Sequence, residues 1–103
     1  MKLPKARGVL RRMSQTRLRR LRRIGPCLAG SLVRLPGHRS RYLTDKVRGK
    51  TRTLYIPLDL LDEVRRWNDN YKKARKLLQE LTAVQRALLV AEIEARRRER
   101  PKS

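Results

Sequence analysis

Two runs of alternating apolar or hydroxyl and charged residues, RYLTDKV and KTRTLYIP, flank Arg48-Gly49 near the middle of the chain. Period-two alternation rich in Thr, Tyr, Val and Ile, with a turn signal between the runs, predicts a β-hairpin over Arg41 to Pro57. Placing Val47 opposite Lys50 sets the remaining pairs. They are Lys46 with Thr51, Asp45 with Arg52, Thr44 with Thr53, Leu43 with Leu54 and Tyr42 with Tyr55. This register matches hydroxyl with hydroxyl, ring with ring and acid with base, each pair contributing roughly 0.2–1 kcal/mol. A one-residue slip would put Leu43 opposite Thr53 and turn one strand's apolar set to the wrong face. Arg-Gly is not the preferred Asn-Gly of the tightest turns. A two-residue turn and a four-residue loop from Val47 to Lys50 are therefore both open, with the same register.

Upstream, the apolar spacing becomes helical from about Val9 to Ile24. Leu10, Met13, Leu21 and Ile24 share one face, with Leu18 at its edge, and Arg11, Arg12, Arg19, Arg22 and Arg23 lie opposite. Gly25-Pro26 is a stop signal. Cys27 to Leu35 reads as a strand in which Gly30 marks a bulge or a close backbone approach. Pro36-Gly37 is a turn, and His38-Arg39-Ser40-Arg41 a basic loop. Three antiparallel strands backed by a helix are about the minimum for independent stability.

Downstream, Pro57 to about Arg98 is helical. Proline suits the first turn, and Asp59, Asp62 and Glu63 suit the positive end of the helix dipole. Leu60, Val64, Trp67, Tyr71, Ala74, Leu78 and Leu81 step by four and three, forming a heptad seam that fails at Gln85. Thr82 and Gln85 form a possible capping box, so a continuous helix and a helical hairpin are both open. The seam either covers the chain's own sheet or docks a second copy or a partner helix. The expectation is an α+β fold with a basic N-terminal helix, a small three-stranded antiparallel sheet and a long helical C-terminal region. Residues 9–95 would form a single domain between a flexible basic tail, 1–8, and a frayed one, 96–103.

Charge changes this picture from a small fold to a binding protein. Lys plus Arg number 29 against 9 Asp plus Glu, a net charge of +20. Self-repulsion of that size opposes compactness, so it points to a partner of opposite charge. Residues 1–44 carry thirteen bases and no acid, whereas from Leu58 on there are twelve bases and eight acids, a net of +4. The basic footprint is thus the N-terminal third and the hairpin.

One cysteine, Cys27, and one histidine, His38, exclude an intrachain disulfide and leave too few ligands for an all-protein zinc site. No signal-peptide apolar run follows the basic start, and nothing approaches transmembrane length. Residues 1–44 share the arginine-rich, acid-free character of a transit peptide, but their apolar spacing suits a folded element. The expected location is the cytoplasm, with the nucleoid or a ribonucleoprotein. Catalysis finds little support. Asp59, Asp62 and Glu63 are explained by helix electrostatics, the other acids are scattered, and there is no phosphate-binding glycine loop. Pairing His38 with Cys27 would leave a nucleophile without a third member. No enzyme activity and no cofactor are expected.

The candidate contacts are therefore to nucleic acid, DNA or RNA. Arg11, Arg12, Arg19, Arg20, Arg22 and Arg23 of the first helix can neutralise phosphates. Arg34, Arg39 and Arg41 flank the strands. Lys46, Arg48, Lys50 and Arg52 surround the hairpin tip, a shape that can enter a major groove. Tyr42 and Tyr55 share a face and can stack on exposed bases or serve as core. The seam from Leu60 to Leu81 is the candidate surface for a homodimer or for an adaptor role towards a transposase or nuclease. A structural role in a ribonucleoprotein would use the same charge, and a membrane surface is the least suited partner.

The order Gly30-Ser31-Leu32, Tyr42-Leu43-Thr44, Gly49-Lys50-Thr51-Arg52, Tyr55-Ile56-Pro57, Glu63-Val64-Arg65-Arg66-Trp67 and Asn70-Tyr71 resembles a family of small uncharacterised basic proteins. These are encoded beside transposases and other mobile-element genes in bacteria. The resemblance spans about Leu28 to Leu89 and implies a mobile-element context, without a settled activity. Many members carry a cysteine cluster between the first two strands. Here Pro36-Gly37-His38-Arg39-Ser40 occupies that place, so no metal site is carried over.

Overall fold

The computed structural model describes residues 1–37 and 39–99. The loop position expected for His38 and the fraying expected of residues 100–103 lie outside the described residues. The elements are α1 (Arg7–Arg22), β1 (Ser31–Arg34), β2 (Arg41–Val47), β3 (Lys50–Ile56), a 3-10 turn (Leu58–Leu60) and α2 (Leu61–Glu99). This is the expected α+β class. The chain divides into two compact units, Met1–Arg23 with α2 from Arg75 on, and Ile24–Ala74.

In the sheet unit, the strands form one antiparallel sheet in the order β1-β2-β3. The hairpin has the predicted register from Val47↔Lys50 to Tyr42↔Tyr55, extended by Arg41↔Ile56. The turn is the two-residue form. Arg48 (φ 51°) and Gly49 (φ 78°) are both left-handed, as a turn that follows the twist of its strands requires. Strand alternation puts Leu32, Leu43 and Ile56 on one side. There Leu43, Ile56 and Val64 form a buried cluster, with Leu28, Leu32, Leu61 and Trp67 packed against it.

The first strand is shorter than Cys27 to Leu35. The backbone before Ser31 bonds to α2 instead of to a neighbouring strand. The Leu28 N–H donates to the Trp67 carbonyl at 3.0 Å. Asn68 Nδ2 donates to the carbonyls of Leu28 (3.0 Å) and Gly30 (2.8 Å), and Asn70 Nδ2 to that of Pro26 (2.9 Å). Asn68 is 3% exposed, so these bonds satisfy polar groups that would otherwise be buried without partners. Gly30 is the expected close approach. At φ +125° an added Cβ would lie 2.9 Å from the Thr44 carbonyl oxygen and 3.0 Å from Leu43 Cδ1, which leaves room only for glycine.

In the helical unit, α1 begins two residues before Val9 and ends two before Ile24. The Leu10 N–H already reaches the Ala6 carbonyl at 3.1 Å, so Arg7 and Gly8 belong to the helix and not to a flexible tail. Leu3 and Pro4 are half-buried and line a depression with Ala87, Val90 and Ala91 of α2. Leu10 and Val84 are fully buried, and Ser14 nearly so. Met13, Leu21 and Ile24 are half-buried and Leu18 is exposed, as the pattern predicted.

Helix α2 runs unbroken for 39 residues through Thr82, and it includes Arg96 to Glu99, where fraying was expected. Continuity resolves the choice against a helical hairpin. The seam needs correction in detail. Its Val64 is buried and Trp67, Tyr71, Ala74 and Leu81 are half-buried, but Leu60 is 45% and Leu78 53% exposed. The covered stripe instead takes Leu61, and passes Tyr71, Ala74 and Leu77 in two successive steps of three before Leu81, Val84 and Leu88. That doubled step moves the covered face back by one residue, so Leu77 replaces Leu78 and the stripe continues past Gln85 through Val84.

Candidate nucleic-acid interface

Helix α1 sorts its arginines by face. Arg7 Nη1 lies 2.8 Å from Glu92 Oε2, and Arg17 Nη2 lies 3.1 Å from Glu80 Oε1. Arg17 is anchored further by a bond from Nη1 to the Met13 carbonyl at 3.3 Å. The hydrogen bond from Arg7, and then its charge, holds the Glu92 carboxyl below the ordinary carboxylate range. Arg11, Arg12, Arg19, Arg20, Arg22 and Arg23 are all exposed. Among the described residues none of these six is within ion-pair distance of an acid; Arg19 donates to Thr16 Oγ1 at 3.3 Å. The last turn carries Arg19, Arg20 and Arg22, where the negative end of the helix dipole favours cations. Five guanidiniums on α1 and a sixth at its C-cap, Arg23, exposed and outside ion pairs, form a surface suited to phosphate oxygens.

The sheet sorts its residues by side. Directly opposed residues share a face, and the registers put Val33, Tyr42 and Tyr55 in one row across the strands. Ser31, Thr44 and Thr53 form the next row, followed by Lys46 and Thr51. This side carries no acid, and none of its residues belongs to the buried cluster. The tyrosine rings meet edge to face, with centroids 5.8 Å apart and planes at 63°. Tyr55 is 52% exposed, while Tyr42 is half-buried.

The basic residues of the hairpin do not form one cluster. Lys46 is on the tyrosine side and Arg48 in the turn, whereas Lys50 and Arg52 point to the side of the buried cluster. Arg52 grips Asp45 with two hydrogen bonds, from Nε to Oδ1 at 3.0 Å and from Nη2 to Oδ2. Those bonds hold the Asp45 carboxyl below its ordinary value and raise that of Arg52. Arg52 is thus committed within the hairpin. Arg34 and Arg41 are directly opposed across β1 and β2. Arg41 Nη1 also donates to the carbonyl of Arg39, which is itself exposed.

The register predicted from the sequence already places Thr44 and Thr53 beside the tyrosines. Asn68 and Asn70 left no periodic signal, because a buried amide on a helix looks like a solvated one until its partner is known. Among the described residues no helix is long and apolar enough to cross a membrane. Comparison with protein-family models, with curated proteins and with solved structures found no match for this chain.

Proposed function

We propose that this is a non-catalytic nucleic-acid-binding protein that contacts phosphates through the outward arginines of α1, with the basic hairpin as a second contact. The observation that carries the reading is the contrast within one helix. Arg7 and Arg17 are matched by glutamates of α2, while among the described residues the six outward arginines are exposed and make no ion pair, Arg11 alone feeling the charge of Glu92 from further off. Such a surface repels itself in the free protein, and the repulsion is relieved by a polyanion. The family resemblance adds a context, that of an accessory factor of a bacterial mobile element acting where nucleic acid is found in the cytoplasm.

The test is the salt dependence of binding to any polynucleotide. If six to ten phosphates are neutralised, affinity should fall by roughly 10³–10⁵ between about 50 and 200 mM salt. Replacing Arg19, Arg22 and Arg23 together with alanine should flatten that slope and leave the helical signal intact. Affinity that does not respond to salt would remove the proposal.

A second reading is favoured by one observation. Leu78, Leu89 and Ile93 are 53%, 60% and 42% exposed and fall on one side of α2 at helical spacing. An adaptor that docks a partner helix there would bind protein, with nucleic acid secondary. Sedimentation in high salt after nuclease treatment separates the two readings, since Leu89→Asp should abolish any association made through this stripe.

A further inference from the structure

We infer that the open side of the sheet receives the unpaired bases of a single-stranded polynucleotide, with Tyr55 as the stacking platform and Tyr42 as its support. The inference rests on the nucleic-acid reading above and adds the form of the ligand.

Two aromatic rings side by side are normally explained by burial. Here the buried cluster comprises Leu43, Ile56 and Val64 on the other side of the sheet, and neither tyrosine belongs to it. Tyr55 leaves half its surface in water, while the edge of its neighbour, 5.8 Å away, restrains it. A restrained, exposed ring offers a π-face with little rotamer freedom left to lose on binding. Stacking of a base on such a ring contributes roughly 1–3 kcal/mol and tolerates any sequence.

The rest of this side fits the same ligand. Thr44 and Thr53 form the adjacent row, about 6.7 Å along the strands; the Thr44 hydroxyl donates to the Ser31 carbonyl at 3.4 Å and can still accept, while that of the exposed Thr53 can bond to base edges or to sugar. Lys46 follows, then Arg48 at the turn, and both can meet phosphate. Asp45, the one acid of the three strands, points to the other side and is held by Arg52. A duplex would use this side poorly. Its bases already stack on one another, and Lys50 and Arg52, which a ribbon in a groove would need, point away from the tyrosines.

The experiment measures binding of the full chain, at low salt, to labelled oligothymidylate and oligouridylate of about 12 nucleotides and to a duplex of the same length. Tyr55→Thr keeps β-propensity and extends the threonine row. It should weaken binding to both single strands roughly tenfold or more and change duplex binding by less than about twofold. Tyr55→Phe should retain single-strand affinity, because the π-face remains. Loss of equal size on duplex and single strand, or no loss on either single strand, overturns the inference. Should Tyr55→Thr fail to fold, photocrosslinking of the unaltered protein to a halogenated oligouridylate decides. Adducts at Tyr42 or Tyr55 support the inference, and adducts confined to α1 refute it. Salt-dependent duplex binding that ignores Tyr55 would sink this inference and leave the general reading standing. An absence of binding to every polynucleotide would end both.

Discussion

The helical unit and the sheet unit hold themselves together by different means, and each leaves a different kind of surface to the outside. In the helical unit the fully buried side chains are Leu10 of α1 and Val84 of α2, and two glutamates of α2 take up two arginines of α1. What is left over is charge: six outward guanidiniums. In the sheet unit the backbone is tied down by the directional bonds of Asn68 and Asn70, and the basic Arg52 is neutralised in place. What is left over is a side bearing rings and hydroxyls. Non-directional burial tolerates a one-signed outer face, whereas register and amide bonds permit an ordered row of side chains. On the proposed reading, the first surface would meet phosphates and the second bases.

The largest effect should come from the buried end of this contrast. Leu10→Ala should destabilise the protein by about 3 kcal/mol through lost transfer energy and a residual cavity. Leu18→Ala, at a position 48% exposed on the same helix, should change stability by less than about 0.5 kcal/mol. Urea denaturation measures both, and similar values would show that α1 has no distinct buried face.

Next in size is the asparagine staple. Asn68→Ala should cost about 2 kcal/mol, because the Leu28 and Gly30 carbonyls lose their donor. Asn68→Asp should not rescue it, since an ionised carboxylate has no proton to donate. Amide exchange in residues 28–34 should rise in both variants. Full stability of Asn68→Asp would mean that shape, not donation, matters at this position.

A smaller pair of effects separates the two kinds of arginine. Arg17→Met should lower stability by about 1 kcal/mol, as Glu80 loses a partner at a largely covered site. It should leave polynucleotide affinity nearly unchanged. Arg22→Met should do the reverse, with stability intact and the salt slope of binding reduced by about 1.

The smallest effect is the acid response. The carboxyls of Asp45 and Glu92 are held below their ordinary values of 3.8 and 4.5 by hydrogen bonds from Arg52 and Arg7 respectively. A lowered value in the folded state means that the unfolded chain takes up the proton more readily. Their contribution is therefore present above those ordinary values and is lost as pH falls through the folded-state ones. Thermal midpoints should begin to fall below about pH 4, and Asp45→Asn should remove the hairpin's share of that dependence. Both groups are solvent-exposed, so the change should be modest and should shrink with added salt.

The hairpin was legible because its information is local. Each of its pairs joins residues within fifteen positions of one another, and hydroxyl, ring and charge matches agree on a single register. The polar face of α1 was legible for a similar reason, since helical spacing alone separates Leu10 and Leu21 from Arg12, Arg19 and Arg23. Other features required the fold. Periodicity places Leu77 and Leu78 almost equally well, and the packing of α2 covers the former and exposes the latter. The sign of a side chain does not say whether it will meet an acid, so Arg7 and Arg17 look like Arg11 and Arg22 until Glu92 and Glu80 arrive from 85 and 63 positions away. Asn68 reads as an ordinary polar residue until the carbonyls of Leu28 and Gly30 approach it across some forty residues. Long-range partners leave no periodic trace in a chain, and such partners settle which charges and which rings remain free for something else.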